Sequence, residues 1–95
     1  MPATPEFEIG PETEHATHWS YAVTIFHAGE ARKVDLTLSF QDYDHWSRGG
    51  VPPVKVADAA LRFALEQIAV ADLPETLDCS TIARRFPAFN PSELR

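Results

Sequence analysis

The sequence holds a single cysteine, Cys79, so it cannot close an internal disulfide or build a zinc site from several thiolates. No apolar run approaches the roughly 20 residues that a helix needs to cross a bilayer. Met1 to Gly10 contains no lysine or arginine and no apolar stretch of the kind that leads a secretory signal. Basic residues are also scarce, 8 against 14 acids, for a formal net charge of −6. A chain of this charge lacks the positive field that drives nonspecific nucleic-acid binding, so duplex DNA or RNA is a poor candidate partner. A small local basic patch stays open. These absences point to a cytoplasmic domain with no membrane partner.

The chain has 95 residues, enough for one domain and too few for two. Its 44% hydrophobic and 23% charged content is that of an ordinary globular protein. The acid surplus is unevenly placed. Glu6, Glu8, Glu12 and Glu14 lie in the first 18 residues, which hold no base, and the remaining 77 residues carry a surplus of only −2. Residues 1–17 also contain Pro2, Pro5 and Pro11, with Phe7 and Ile9 as the main apolar residues. That composition predicts a flexible acidic tail, followed by a single α+β domain over 18–95. Phe7-Glu8-Ile9 has the two-residue alternation of a short edge strand, the alternative for that stretch.

From His18 the pattern changes. Trp19, Tyr21, Val23 and Ile25 alternate with Ser20, Ala22, Thr24 and Phe26. Val34, Leu36, Leu38 and Phe40 alternate with Lys33, Asp35, Thr37 and Ser39. Period two in β-branched and aromatic residues predicts two strands, about 18–27 and 32–40. The short Ala28-Gly29-Glu30 connection, with Gly29 free to take positive φ, makes them an antiparallel hairpin. Phe40, Tyr43 and Trp46, three apart, predict a short helix near 41–48, ended by Gly49-Gly50. A main helix is predicted over about 53–69, with a proline at its first position. Its polar residues form one stripe, Lys55, Asp58, Arg62 and Glu66, with opposite charges four apart. The rest of its circumference is apolar, far wider than the ~100° stripe of a surface helix. Asp78 is placed to cap a final helix over about 79–86, with Ile82 and Phe86 on its inner face.

A helix dry on most of its circumference needs cover on two sides. The hairpin supplies one. The other is either a second copy of the chain, which predicts a homodimer, or a fold-over of Phe89, Leu94 and the 40–46 aromatics. The hairpins of two copies could join into one sheet or stay apart.

The order of these elements resembles a family of small, uncharacterised bacterial proteins. The residues that carry the likeness are the main-helix run from Val56 to Glu66, then Leu77-Asp78, Ile82, and Arg85-Phe86-Pro87-Ala88-Phe89. The preceding hairpin and Gln41-Asp42-Tyr43-Asp44 also match, so the likeness spans roughly 19–90. The chain departs from the family at Ala88, where an acid is usual, and after Glu66. The resemblance implies the α+β layout, and no activity, since none is assigned to the family.

The residues that could carry chemistry are few. His15 and His18 stand near Glu12 and Glu14, while His27 and His45 lie in other segments, and no HxxxH or CxxC spacing is present. Cys79 lies at a helix start, where the dipole can lower a thiol pKa, with Arg84 and Arg85 a turn or more away but no base nearby in sequence. Asp42 and Asp44 suit the first turn of a helix better than acid–base work. Gly49-Gly50 lacks the Lys-Ser/Thr of a phosphate loop. No catalytic residue, cofactor or metal ligand is assigned. The expected function is non-enzymatic association, as a homodimeric accessory or regulatory binding protein with a protein partner still to be identified. The alternative is a ligand- or RNA-binding module. In either case the candidate surface is Tyr43, Trp46 and Arg48 with Arg84 and Arg85, an aromatic-basic set.

Overall fold

The computed structural model describes residues 5–47, 50–86 and 89. Strands β1 (Glu6–Glu14), β2 (His18–His27) and β3 (Glu30–Ser39) are followed by helices α1 (Phe40–Ser47) and α2 (Pro53–Gln67). A 3₁₀ turn (Val70–Asp72), strand β4 (Thr76–Asp78) and helix α3 (Cys79–Arg85) complete the described elements. The sheet runs in the order β1-β2-β3-β4, with β1, β2 and β3 antiparallel and β4 parallel to β3. The fold is α+β, as the periodicities predicted. No helix of the described residues is long and apolar enough to cross a membrane.

The hairpin forms where the alternation placed it, in the register Val23↔Val34, Tyr21↔Leu36 and Trp19↔Leu38. Its loop is tighter than the sequence suggested. Ala28 and Gly29 alone connect the strands, with φ of 52° and 78°, so β3 starts at Glu30 rather than at Arg32. Two successive positive φ values are those of a turn whose twist matches the flanking strands. Gly29 meets that demand freely, whereas Ala28 is strained by its Cβ.

The first segment corrects the sequence-based expectation. Residues 6–14 form an edge strand on β2, not a flexible tail. Phe7 lies opposite Ile25 and Ile9 opposite Val23, so both apolar side chains turn toward the core. The Arg62 guanidinium covers the Phe7 ring at 5.0 Å. Glu6 and Glu8 point to the wet face, and their charge does not oppose strand formation. The ladder slips between Ile9 and Glu12, which accommodates Pro11 at an edge where its missing N–H is tolerated. At this bulge the backbones approach so closely that a Cβ on Gly10 would stand 2.6 Å from the Ala22 carbonyl oxygen.

The starts of α1 and α3 are capped by side chains. The Ser39 hydroxyl accepts from the Asp42 N–H at 3.0 Å, and the Asp78 carboxylate accepts from the Ser80 N–H at 2.9 Å. Helix α2 begins at Pro53, preceded by Pro52 in extended conformation, and stops at Gln67, two residues before the predicted end. Its buried side is Val56, Ala57, Ala60, Leu61, Ala64 and Leu65. These residues share one core with Tyr21, Val23, Ile25, Val34, Leu36 and Leu38 of the hairpin and with Leu77, Cys79 and Ile82. The wide dry arc is therefore largely covered within the chain. Phe63, flanking the stripe, meets Phe86 and Phe89 with ring centroids 6.0 and 5.1 Å apart. Leu94, the other residue assigned to that cover, lies outside the described residues. Val54 stays 39% exposed. Of the two charge pairs expected along the helix, Arg62 takes Asp58, at 3.3 Å.

Strand β4 had no counterpart in the sequence reading. It places Leu77 opposite Leu36, and the Asp35 N–H donates to the Glu75 carbonyl at 2.8 Å. Three residues are too few to show a period.

Two substitutions test this backbone. Gly10→Ala is expected to lower stability by about 1–3 kcal/mol in urea denaturation, because the new methyl has no room against Ala22. Ala28→Asn is expected to raise it by about 1 kcal/mol, since asparagine accepts positive φ more readily than alanine.

Candidate binding surface

The five residues singled out as a surface do not share one environment. Trp46 is buried, 8% exposed, and its ring meets Phe89 at 6.1 Å. Tyr43 is half-buried. Its ring stands edge-on to Trp19 at 5.2 Å, and its hydroxyl donates to the Val51 carbonyl. These two aromatics fasten α1 and the following loop to the core. Arg48 lies outside the described residues. Arg84 and Arg85 are exposed on α3. Arg84 donates to the Thr81 hydroxyl at 3.3 Å, and the Arg85 guanidinium lies 5.4 Å from the Phe86 ring centroid. A chain of rings, Trp46, Phe89, Phe63 and Phe86, thus leads from the buried tryptophan out to Arg85.

The histidines and the cysteine are equally informative. The His15 and His18 rings stack 4.5 Å apart. His15 shares a hydrogen bond with the Ser20 hydroxyl at 2.8 Å, and His18 with the Thr17 hydroxyl at 3.3 Å. Glu12, one of the two acids considered as co-ligands, accepts from the Tyr21 hydroxyl at 2.6 Å. Among the described residues no group of three or more His, Cys, Asp or Glu is placed to hold a metal ion. Cys79 is fully buried at the start of α3. Burial pushes its thiol pKa well above the usual range, and the nearby Asp78 and Asp42 charges push the same way. An activated nucleophile needs the opposite.

Two features were not read from the sequence. One is an open groove of about 590 Å³ where the end of the hairpin meets the 3₁₀ turn, lined by His27, Glu30, Arg32, Lys33, Val70 and Glu75. Arg32 reaches from β3 across this end to the Leu73 carbonyl and ties the loop before β4 to the sheet. Its Nε is buried without an acceptor. The mix of acids and bases around the groove leaves no dominant charge to select a ligand.

The other feature is the second face of the sheet. Tyr21, Val23, Ile25, Val34, Leu36 and Leu38 point to the helices. Ser20, Ala22, Thr24 and Phe26 of β2, with Lys33 and Asp35 of β3 and Glu6 and Glu8 of β1, lie on the opposite side. Phe26 is 42% exposed there. The alternation in the sequence marked the β2 and β3 parts of this face, but the contribution of β1 needed the strand to be known. Comparison with protein-family models, with curated proteins and with solved structures returned no match, so the surface is read from its own chemistry.

Two buried acids, Tyr21 and Cys79, oppose unfolding most strongly below their ordinary pKa values. Burial raises the Tyr21 pKa, and the Glu12 carboxylate that accepts its hydrogen bond adds to the shift. The Cys79 pKa is raised as well. In the unfolded chain these groups ionise near pH 10 and 8.5, whereas the folded protein keeps them neutral. Their contribution is complete below those values and is lost as pH rises. Unfolding free energy is expected to fall above about pH 8.5 by up to about 1.4 kcal/mol per pH unit for each titrating group. Tyr21→Phe is expected to flatten the part of that fall above pH 10, measured by urea titrations across pH 7–11.

Proposed function

We propose that this chain is a small non-enzymatic association domain, a homodimer that serves as an accessory or regulatory binding protein. The observation that carries the reading is the one-sided cover of the sheet. Its helices occupy one face, and the other is left bare, with small side chains along β2, Phe26 at the end of that line and charged residues of β1 and β3 on either side. Sheets with one bare face either stay solvated or pack on a second sheet, and an exposed phenylalanine favours packing. This moves the association surface away from α2, the helix that first suggested a dimer, because α2 finds most of its cover within the chain. The single buried thiol suits a reducing compartment such as the cytoplasm, where the domain would work.

The alternative, a ligand- or RNA-binding module, has less support. Its tryptophan is buried and so cannot stack on a base, leaving Arg84 and Arg85 beside Phe86.

Light scattering on a sizing column tests the reading. A mass near twice 10.6 kDa at tens of micromolar is expected. A mass that stays near 10.6 kDa up to hundreds of micromolar would remove the homodimer.

A further inference from the structure

We propose, resting on the homodimer reading, that two copies pack sheet against sheet about a two-fold axis along β2, so that Glu8 of each copy pairs with Lys33 of the other. The three long strands are centred on β2, with β4 contributing only three residues at one side. Residues directly opposite in a ladder share a face. Glu8 lies opposite Thr24, and Thr24 opposite Lys33, so the three form one row across the open face. The row has an acid on β1, a small hydroxyl in the middle and a base on β3. Glu8 and Lys33 are exposed, and two strand spacings, about 10 Å, separate their backbones within one copy. Each therefore has its charge available to another chain.

A half-turn about β2 exchanges the positions of β1 and β3 across the interface and keeps every row at its own height. Glu8 of one copy then stands over Lys33 of the other, and the symmetry makes that contact twice. The neighbouring rows accept the same operation. The row of Glu6, Phe26 and Ala31 sets Glu6 over alanine. The row of Ala22 and Asp35 sets Asp35 over the bulge at Gly10, which has no side chain to meet it. Acid faces acid in none of these three rows. The other face-to-face two-fold, perpendicular to the strands and centred on the open face, would reverse the order of the rows, set Glu8 over Gly10 and Phe26 over Ser20, and so leave the exposed ring without an aromatic partner. The axis along β2 is the one that joins Glu8 to Lys33 and Phe26 to Phe26.

Side-chain size agrees with that choice. Ser20, Ala22 and Thr24 lie along the axis and are small enough to let two sheets approach to the usual spacing of about 10 Å. Phe26 ends the same line and meets the Phe26 of the second copy, which would cover its exposed ring.

Charge exchange tests the arrangement. The dimer dissociation constant would be measured by sedimentation for the unmodified chain, for Glu8→Lys, for Lys33→Glu and for the double exchange, with circular dichroism to verify folding. Each single variant opposes like charges at two places and is expected to weaken the dimer about tenfold or more. The double exchange restores both pairs and is expected to return within about threefold of the unmodified chain. Thr24→Arg sets two like charges on the axis, is expected to abolish the dimer, and carries the test if either single variant fails to fold. An unmodified dimer whose affinity none of these changes alters would overturn the proposed surface and leave the homodimer standing. A monomeric unmodified chain would remove the homodimer, and this arrangement with it.

Discussion

Six large side chains of β2 and β3 share a core with the alanine-lined side of α2, and that shared burial decides where the other groups lie. Ala57, Ala60 and Ala64 give α2 a narrow ridge, so the helix can sit close to Tyr21, Val23, Ile25, Val34, Leu36 and Leu38. Removing this much apolar surface from water is the largest favourable contribution in so small a domain. Each pleated strand has two faces, so directing these six residues inward sends their neighbours outward. The bare face of the sheet follows from the way its core is filled.

The edges are handled differently. Strand β4 is short, and its parallel pairing with β3 carries the chain from the sheet into α3, whose Asp78 cap lies at the junction. Strand β1 is long and flanks the sheet with glutamates, a bulge and Pro11. These are features that discourage a second chain from adding to that edge. Discouraging the edge while leaving the face bare favours association by stacking over association by strand addition. In the same way, the aromatics of α1 serve the inside of the molecule. Trp19 meets Phe40 and Tyr43, and Trp46 meets Phe89, so these rings join the short helix to the sheet and to the segment after α3.

The candidate site was only partly legible. Spacing identified Tyr43 and Trp46 as a cluster but could not tell an interface from a satellite core. Either can be built from aromatic residues at that spacing, and the contacts with Trp19 and Phe89 distinguish them. Arg84 and Arg85 were legible as exposed basic residues at the end of a helix, while their partners, Thr81 and the Phe86 ring, are matters of local geometry. The faces of Thr24 and Lys33 were legible from the alternation, but their alignment with Glu8 in one row was not. Its members are separated by turns, and they line up only once two registers are set.

The sequence by itself determined the hairpin, the three helices and the Asp78 cap, because each depends on a local period or on a side chain reaching its own backbone. Tertiary structure decided what depends on distant partners. A segment of prolines and glutamates became a strand because β2 offered it a ladder and the core had room for Phe7 and Ile9. Three residues became β4 because β3 had a free edge. The dry arc of α2 was covered from within because Phe86 and Phe89 return to Phe63. In each case the stabilising contact joins residues far apart in the chain, and no local pattern records it.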